Sequence, residues 1–135
     1  MISYQQKLLA QKDLLALYAS VKWTAYTADP EKLMRALQQS LLVISAWDND
    51  TLVGLIRSVG DGETILYIQD LLVLPTYQNQ GIGLQLMQQM LQAFPDVRQK
   101  VLLTDEASDV RHFYEKCGFQ SADQGQTVAF YRYDH

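Results

Sequence analysis

A long apolar strand that runs into a glycine turn and then into a helix constrains this fold more than any other sequence feature. Residues Thr64–Leu74 are apolar on both faces, which is typical of a strand covered on both sides, and Pro75 ends the run. Beyond Gly81 and Gly83 the apolar residues recur at helical spacing as far as Pro95. Since another strand is predicted after this helix, we expect the two strands to be parallel and joined by a right-handed crossover.

The remaining hydrophobic patterns predict a chain that mixes strands and helices throughout. Strands are predicted at 2–7, 41–47, 51–59, 101–104 and 127–133, and helices at 11–20, from Pro30 onward and at 108–117. Asp29 before Pro30 is a helix start signal, and Gly118 occupies a C-terminal capping position. Short turns between the middle strands favour antiparallel hairpins. The sequence therefore predicts an α/β fold, with helices on both faces of a mixed sheet.

The size and charge of the chain exclude several classes of function. A chain of 135 residues with 48% hydrophobic residues predicts a single domain, 1–135, with its own core. Its net charge of −4 and the absence of a basic run argue against a nucleic-acid partner. No apolar stretch approaches the roughly 18 residues that cross a bilayer, so no membrane partner is expected. The N-terminus lacks a signal-peptide pattern, and we expect a cytoplasmic protein.

The glycine turn between the predicted strand and helix is a candidate anion site. Backbone N–H groups at a helix N-terminus lack intrahelical partners, and the helix dipole is positive there. Gly81 and Gly83 would let a phosphate approach the backbone without interference from Cβ atoms. The alternative is that they only form a tight turn. The dinucleotide fingerprint is excluded because Leu86 stands where its third glycine is needed, and the Gly-Lys-Ser/Thr of a P-loop is absent.

Two segments around this turn and the last helix carry a resemblance to a known family. The run 78–83, Gln-Asn-Gln-Gly-Ile-Gly, resembles the Gln/Arg-x-x-Gly-x-Gly/Ala motif of the GNAT N-acetyltransferases. The run 113–119, Phe-Tyr-Glu-Lys-Cys-Gly-Phe, is similar to that family's Phe-Tyr-x-Lys-x-Gly-Phe segment. The resemblance implies a GNAT-like sheet, mostly antiparallel, with a central splayed parallel strand pair. It also implies acetyl-CoA as co-substrate.

The resemblance assigns the cofactor site to the turn, the strand before it and the last helix. The pyrophosphate would lie on backbone N–H groups from Gln80 to Leu84, and the pantetheine arm would pair with the backbone of Leu72 and Leu74. Two departures weaken the match. The loop holds no Arg or Lys. Ala107 stands where many family members have an asparagine that bonds the pantetheine, so either Ser108 makes this contact instead or the contact is missing. The implied cofactor residues are Leu72, Val73, Leu74, Gln78, Asn79, Gln80, Gly81, Ile82, Gly83, Leu84, Ser108 and Tyr114.

The implied chemistry is direct attack of an amine on the thioester in a ternary complex, which needs groups that move protons. Tyr114 matches the family tyrosine that donates a proton to the CoA sulfur; otherwise it is a core residue. Asp70 is the candidate to hold or deprotonate the amine, or else it is a solvated or capping carboxylate. Glu63 and Asp105 are weaker alternatives. A further pair of aromatic residues either covers the acceptor amine by cation–π contact or packs in the core: Trp23 and Tyr26.

The leading hypothesis is an N-acetyltransferase acting on a primary amine of a small molecule or a side chain, and the acidic balance favours a cationic acceptor. The alternative is a non-catalytic acetyl-CoA-binding module that regulates a partner. The sequence leaves both monomer and homodimer open. Cys117, the single cysteine, excludes an internal disulfide and a multi-cysteine metal cluster and is expected to be packed. His112 and His135 have no ligand set in view, so no metal is expected.

Overall fold

The computed structural model describes residues 1–134, which form two compact units, residues 1–103 and a second unit from Thr104 onward. Five strands of the first unit form one sheet: β1 (Ile2–Gln5), β2 (Leu42–Asp48), β3 (Thr51–Gly60), β4 (Ile65–Val73) and β5 (Gln99–Leu102). Its helices are α1 (Gln11–Ser20), α2 (Thr24–Thr27), α3 (Pro30–Gln38) and α4 (Ile82–Ala93). None of the helices in residues 1–134 has the length and apolar character needed to span a membrane.

The sheet has the mixed, mostly antiparallel character that the sequence predicts. Its strand order is β1-β2-β3-β4-β5, and the first three pairings are antiparallel. Only β4 and β5 are parallel, and α4 connects them. The predicted parallel pair is therefore present, and β5 is the last strand in the order among residues 1–134, where the strand predicted at 127–133 does not form.

Neighbouring residues on β3 show that helices cover both faces of the sheet. The Leu55 side chain belongs to a buried cluster with Leu14 and Leu17 of α1. A Cβ atom on Gly54 would lie 3.3 Å from side-chain atoms of both Ile82 and Leu86, in α4. Because successive residues of a strand point to opposite faces, α1 and α4 lie on opposite sides of the sheet. The prediction of helices on both faces is confirmed.

The start of α3 and the end of the second unit's helix are built as the sequence predicts. Asp29 is the N-cap residue of α3, and its Oδ1 accepts a hydrogen bond from the Lys32 backbone N–H at 3.2 Å. In the second unit, helix α5 (Ser108–Lys116) ends before Gly118, which has a φ of +95°. The Phe119 N–H bonds back to the Tyr114 carbonyl at 3.0 Å, which closes the last turn.

The segment after α5 does not form the predicted last strand. Residues Ala122–Gln124 make a single 3-10 turn, and residues 126–134 belong to no helix or strand and are exposed. The prediction at 127–133 rested on alternation alone. Alternation shows that a segment suits one face of a sheet, but a strand also needs a neighbour to bond with.

Candidate active site

The turn between β4 and α4 presents unsatisfied backbone donors. Gly81 is the N-cap residue of α4, with a left-handed φ of +84°, and no side chain caps this helix. The first helical bond runs from the Gln85 N–H to the Gly81 carbonyl at 3.0 Å, so the N–H groups before Gln85 lack intrahelical partners. A Cβ atom on Gly81 would find nothing within 4 Å. The space beside the Gly81 Cα is therefore open, and free backbone donors at a helix N-terminus are the groups that an anion binds.

Side chains from the same turn fix its backbone. The Gln78 side-chain amide donates to the Val73 carbonyl at 3.0 Å, and that of Gln80 donates to the Thr76 carbonyl at 3.4 Å. The Tyr77 hydroxyl donates to Asp48 Oδ2 at 2.5 Å and ties the turn to the end of β2. The two glutamine side chains thus already have partners inside the turn, and the anion site consists mainly of main-chain groups.

The end of β4 that leads into this turn has a strand on one side only. Pairing of β4 with β5 stops where Ile68 lies opposite Leu102, whereas pairing with β3 continues to Val73. The pairing ends at Ile68 because β5 ends at Leu102, and among residues 1–134 the β4 backbone that follows has no strand neighbour on the β5 side. A ligand with amide groups could bond to such an edge as an added strand would.

The register of β4 on β3 corrects the predicted contacts at Leu72 and Leu74. The Leu74 N–H donates to the Val53 carbonyl of β3 at 2.8 Å. Because the direction of backbone groups alternates along a strand, Leu72 also directs its N–H and carbonyl toward β3. Leu71 and Val73 direct theirs to the open side, consistent with the bond from Gln78 to the Val73 carbonyl. The residues named from the sequence did not include Leu71, since the direction of its backbone groups depends on a strand partner that the sequence does not specify.

Asp70 is buried within a hydrogen-bonded network. Its Oδ2 accepts from the Tyr18 hydroxyl at 2.9 Å and from Arg57 Nε at 2.8 Å, and its Oδ1 accepts from the Tyr26 hydroxyl at 2.7 Å. The Gln69 side-chain amide donates to the Tyr26 oxygen at 3.1 Å. Both carboxylate oxygens therefore have donors, and the carboxylate is paired with a guanidinium. Such a group is suited to hold Tyr18 and Tyr26 in place rather than to accept a proton from a substrate amine.

The electrostatics of this network keep its tyrosines protonated and its arginine charged. Burial raises the pKa of the Tyr18 phenol, and the neighbouring Asp70 carboxylate raises it further. Burial and the hydrogen bond to Asp70 also raise the pKa of Tyr26. Burial disfavours the charged form of Arg57, but the Asp70 carboxylate outweighs it and the pKa of Arg57 rises. The sequence offered one signal for Arg57 and Tyr18, since each is a polar group inside an otherwise apolar pattern.

The predicted acceptor residues Trp23 and Tyr26 lie together around α2. Their ring centroids are 6.1 Å apart, and the Tyr18 ring is 5.0 Å from that of Tyr26. Tyr26 is half-buried and also lines a small cavity of about 210 Å³ between α2 and α3, which contains one acidic and one basic side chain, Asp29 and Lys32. The structure thus brings Trp23, Tyr26 and Asp70 together, as expected for one site.

The weaker carboxylate candidates lie elsewhere. Glu63 is exposed and precedes the start of β4, whereas the turn at Gly81 follows its end, about 30 Å away along a nine-residue strand. Asp105 and Ser108 are exposed residues of the second unit, and Ser108 begins α5 without capping it. Among residues 1–134, no group of three or more potential ligands could hold a metal ion. His135 lies outside the described residues.

Tyr114 lies in α5 with its ring between two phenylalanines. Its ring centroid is 5.1 Å from that of Phe113 and 6.2 Å from that of Phe119, both edge-on. Burial raises the pKa of the Tyr114 phenol, nearby Cys117 adds to the rise, and a hydrogen bond with Thr104 opposes it. The phenol is therefore protonated at neutral pH. Burial likewise raises the pKa of the half-buried Cys117 thiol, which agrees with a packed cysteine rather than a nucleophile.

Known proteins with similar sequences are named as acetyltransferases. The family profile described as an acetyltransferase (GNAT) domain matches residues 6–133. An uncharacterised ycf52-like N-acetyltransferase of Prochlorococcus marinus is 30% identical over 125 residues, which cover 88% of this chain and 67% of the relative. The matches cover only 40% and 57% of two further curated relatives, named as a putative acetyltransferase of Gibberella zeae and a histone acetyltransferase of Glycine max.

Solved structures extend the comparison to the whole fold. A GNAT-family acetyltransferase from Streptococcus pneumoniae is 36% identical, with a TM-score of 0.87 and coverage of 99% of this chain and 98% of that one. AAC(6')-Iy, solved with the bisubstrate analogue CoA-S-monomethyl-acetylneamine, shares the fold at 16% identity, with a TM-score of 0.70 and coverage of 100% and 99%. On the profile match and the fold together, this chain belongs to the GNAT family of acetyltransferases.

Proposed function

We propose that this protein transfers an acetyl group from acetyl-CoA to a primary amine by direct attack within a ternary complex. The observation that carries the proposal is the uncapped N-terminus of α4 at Gly81, next to the strand-free edge of β4. The match of one family profile to residues 6–133 supports treating the chain as a single functional domain.

The residues at this turn fit an anionic cofactor with an amide-containing arm. Backbone N–H groups from Gln80 to Leu84, helped by the helix dipole, would hold the pyrophosphate without a basic side chain. Leu71 and Val73 offer main-chain groups on the open side of β4 for the pantetheine arm. Acetyl-CoA, when bound, supplies the activated thioester carbon that the amine attacks. The CoA-containing bisubstrate analogue bound to AAC(6')-Iy supports this class of ligand.

The acceptor would bind around α2, where the half-buried rings of Trp23 and Tyr26 lie 6.1 Å apart and would contact a cationic amine. Asp70 would act as a positioning residue that fixes the Tyr18 and Tyr26 hydroxyls, and the amine would lose its proton to solvent or to a water chain. The acetylneamine part of the analogue bound to AAC(6')-Iy, a protein of the same fold, supports an amine on a small molecule as the acceptor class.

Tyr114 would donate a proton to the departing thiolate. Its raised phenol pKa keeps the proton available at neutral pH, and its identity follows the family segment around 113–119. Attack by the neutral amine forms the C–N bond of the amide, and the thioester C–S bond breaks. The thiolate takes up the phenolic proton, the nitrogen gives its second proton to water, and the Tyr114 phenolate is protonated again from water.

The experiment combines acetyl-CoA binding by calorimetry with thiol release across polyamines, arylalkylamines, amino acids and aminoglycosides. We expect binding, and thiol release with at least one amine. Gly81→Val should weaken acetyl-CoA binding at least tenfold, because a side chain at this left-handed position distorts the turn. Gly62→Val is the matched control, since Gly62 also has a positive φ of +73° but lies at the opposite end of β4.

Two outcomes would contradict the proposal. Unchanged acetyl-CoA affinity in a folded Gly81→Val protein would remove the assignment of the cofactor site. Tight acetyl-CoA binding with no thiol release for any amine would favour the non-catalytic regulatory module over an enzyme.

A further inference from the structure

We propose that Tyr77 and Asp48 are positioning residues for the cofactor. The hydrogen bond between their side chains holds the cofactor turn, residues 75–81, in the conformation that binds the pyrophosphate of acetyl-CoA. The inference rests on the proposed function, because it concerns the same anion site at the start of α4. It extends that site to a carboxylate on a different strand, β2.

The cofactor turn needs support because its binding groups are backbone N–H groups. The turn contains no Arg or Lys, so its affinity for an anion depends on how well these donors converge before the ligand arrives. Two of its residues have left-handed backbones, Asn79 with a φ of +64° and Gly81 with a φ of +84°. For Asn79 this conformation is unfavourable, since Asn79 has a Cβ atom. The turn would therefore relax to other conformations without contacts that hold it.

Hydrogen bonds inside the turn are short-range. The Tyr77 N–H donates to the Leu74 carbonyl at 2.8 Å, and the side chains of Gln78 and Gln80 donate to carbonyls five and four positions earlier. The Tyr77 hydroxyl, by contrast, donates to Asp48 Oδ2, 29 positions earlier along the chain. Asp48 belongs to β2, which is two strands away from β4 in the sheet order. This bond therefore attaches the turn to a separate part of the sheet.

Asp48 is a firm anchor for this bond. It is the last residue of β2, and its backbone lies between Ile2 of β1 and Thr51 of β3. The residue before it, Trp47, is 5% exposed and belongs to the buried core. The distance of 2.5 Å from the Tyr77 hydroxyl oxygen to Asp48 Oδ2 is that of a charge-assisted bond, which is stronger than a neutral one. The bond raises the pKa of the Tyr77 phenol, so the hydroxyl keeps its proton at neutral pH.

Loss of this bond should weaken cofactor binding without changing the reaction. A protein whose binding-competent conformation is populated only about a tenth of the time binds its ligand about tenfold more weakly. Once acetyl-CoA is bound, the turn has the competent conformation again, so kcat and the KM for the acceptor amine should stay unchanged. A residue that only stabilised the fold would lower the free energy of unfolding and leave the affinity of the folded protein intact.

Calorimetry with acetyl-CoA, steady-state kinetics and amide hydrogen exchange test this proposal. We expect Tyr77→Phe and Asp48→Ala each to raise the Kd and the KM for acetyl-CoA about tenfold, with kcat unchanged. The double variant should bind no more weakly than either single variant, because both changes remove the same bond. Asp48→Asn should stay within about threefold of the wild type, since its side-chain oxygen still accepts from the Tyr77 hydroxyl. In free Tyr77→Phe, the Gln78 amide, which bonds to the Pro75 carbonyl at 3.3 Å, should exchange faster.

Tyr4→Phe and Asp50→Ala are the matched controls and should bind acetyl-CoA as the wild type does. Tyr4 is a half-buried tyrosine on β1, and Asp50 is an exposed residue in the hairpin turn that follows Asp48.

Three outcomes would overturn the inference. Equal acetyl-CoA affinity in the wild type and in folded Tyr77→Phe would overturn it and leave the proposed function intact. A double variant with the sum of the two single effects would show that Tyr77 and Asp48 act separately. Absence of acetyl-CoA binding by the wild type would overturn the proposed function together with this inference.

Discussion

Arg57 and Asp70 lie opposite each other on β3 and β4 and form a buried ion pair, with Arg57 Nε 2.8 Å from Asp70 Oδ2. Their side chains are only 7% and 2% exposed. Because Asp70 also accepts hydrogen bonds from Tyr18 and Tyr26, this one carboxylate connects the sheet to α1 and α2. The fold around the proposed acceptor site therefore depends on a charge pair.

We predict that Asp70→Asn destabilises the protein by about 3–5 kcal/mol, because it leaves the Arg57 guanidinium buried without its counter-ion. Chemical denaturation of both proteins measures the change. The double variant Arg57→Gln with Asp70→Asn should be more stable than the sum of the two single changes predicts, since it removes both charges. Strict additivity would show that the pair contributes no coupling energy.

We predict that Tyr26→Phe raises the KM for the acceptor amine about tenfold and leaves acetyl-CoA affinity unchanged. The Tyr26 hydroxyl is hydrogen-bonded to Asp70 and Gln69. The substitution removes this hydroxyl and its hydrogen bonds but keeps the ring and its packing. Steady-state kinetics with the best amine of the panel measures the effect. Tyr4→Phe, at a half-buried position on β1, is the control. An unchanged acceptor KM would show that the Tyr26 hydroxyl does not serve the acceptor, and any contribution of Tyr26 to acceptor binding would come from its ring.

Most of the fold follows from local patterns that the sequence displays. The Asp29-Pro30 helix start, the antiparallel hairpin of the middle strands and the long apolar run of β4 were each predicted from a hydrophobic period and a turn or stop signal, and the structure forms all three. The tail at 127–133 shows the limit of this approach. Its alternation is as regular as that of a real strand, but pairing depends on a neighbour, and no local pattern states whether that neighbour exists.

The candidate site was predictable in position but not in detail. The sequence predicts a tight turn at Gly81 and Gly83 before a helix, and the structure has this turn, with a left-handed φ of +84° at Gly81. The sequence analysis placed the outward-facing backbone groups of β4 at Leu72 and Leu74, whereas in the structure Leu71 and Val73 face the open side. The direction of these groups depends on the register with β3, which the sequence does not specify. The role of Asp70 depends on Tyr18 and Arg57, which are 52 and 13 positions away along the chain. Partners so far apart along the chain cannot be identified from the spacing of residues within one segment.

We predict that the stability advantage of the wild type over Tyr18→Phe shrinks above about pH 10. Burial beside Asp70 raises the pKa of Tyr18 in the folded state, whereas the unfolded phenol ionises near pH 10. The stability that Tyr18 contributes is thus fully present below pH 10 and falls by about 1.4 kcal/mol per pH unit above it. Urea denaturation between pH 8 and 11 measures both curves. Parallel curves would contradict a buried, protonated Tyr18.

We predict that Tyr114→Phe lowers kcat at least about tenfold, within the range that general acids contribute. Expulsion of the CoA thiolate builds negative charge on sulfur, and a protonated phenol is suited to neutralise it. The substitution keeps the ring and its edge-on contacts with Phe113 and Phe119, so the melting temperature should hardly change. Acetyl-CoA affinity should also stay unchanged, because in the proposed complex the phosphates and the pantetheine arm would bind to the turn and to β4.

The kinetic test of Tyr114 needs conditions in which chemistry limits the rate, which a burst experiment establishes, and Tyr4→Phe again serves as the control. A raised phenol pKa also predicts that wild-type kcat shows no loss from Tyr114 ionisation below about pH 10. The proton that the thiolate needs is then available throughout the neutral range. If Tyr114→Phe retains full kcat when chemistry is rate-limiting, Tyr114 is a packing residue of α5 and water protonates the leaving thiolate.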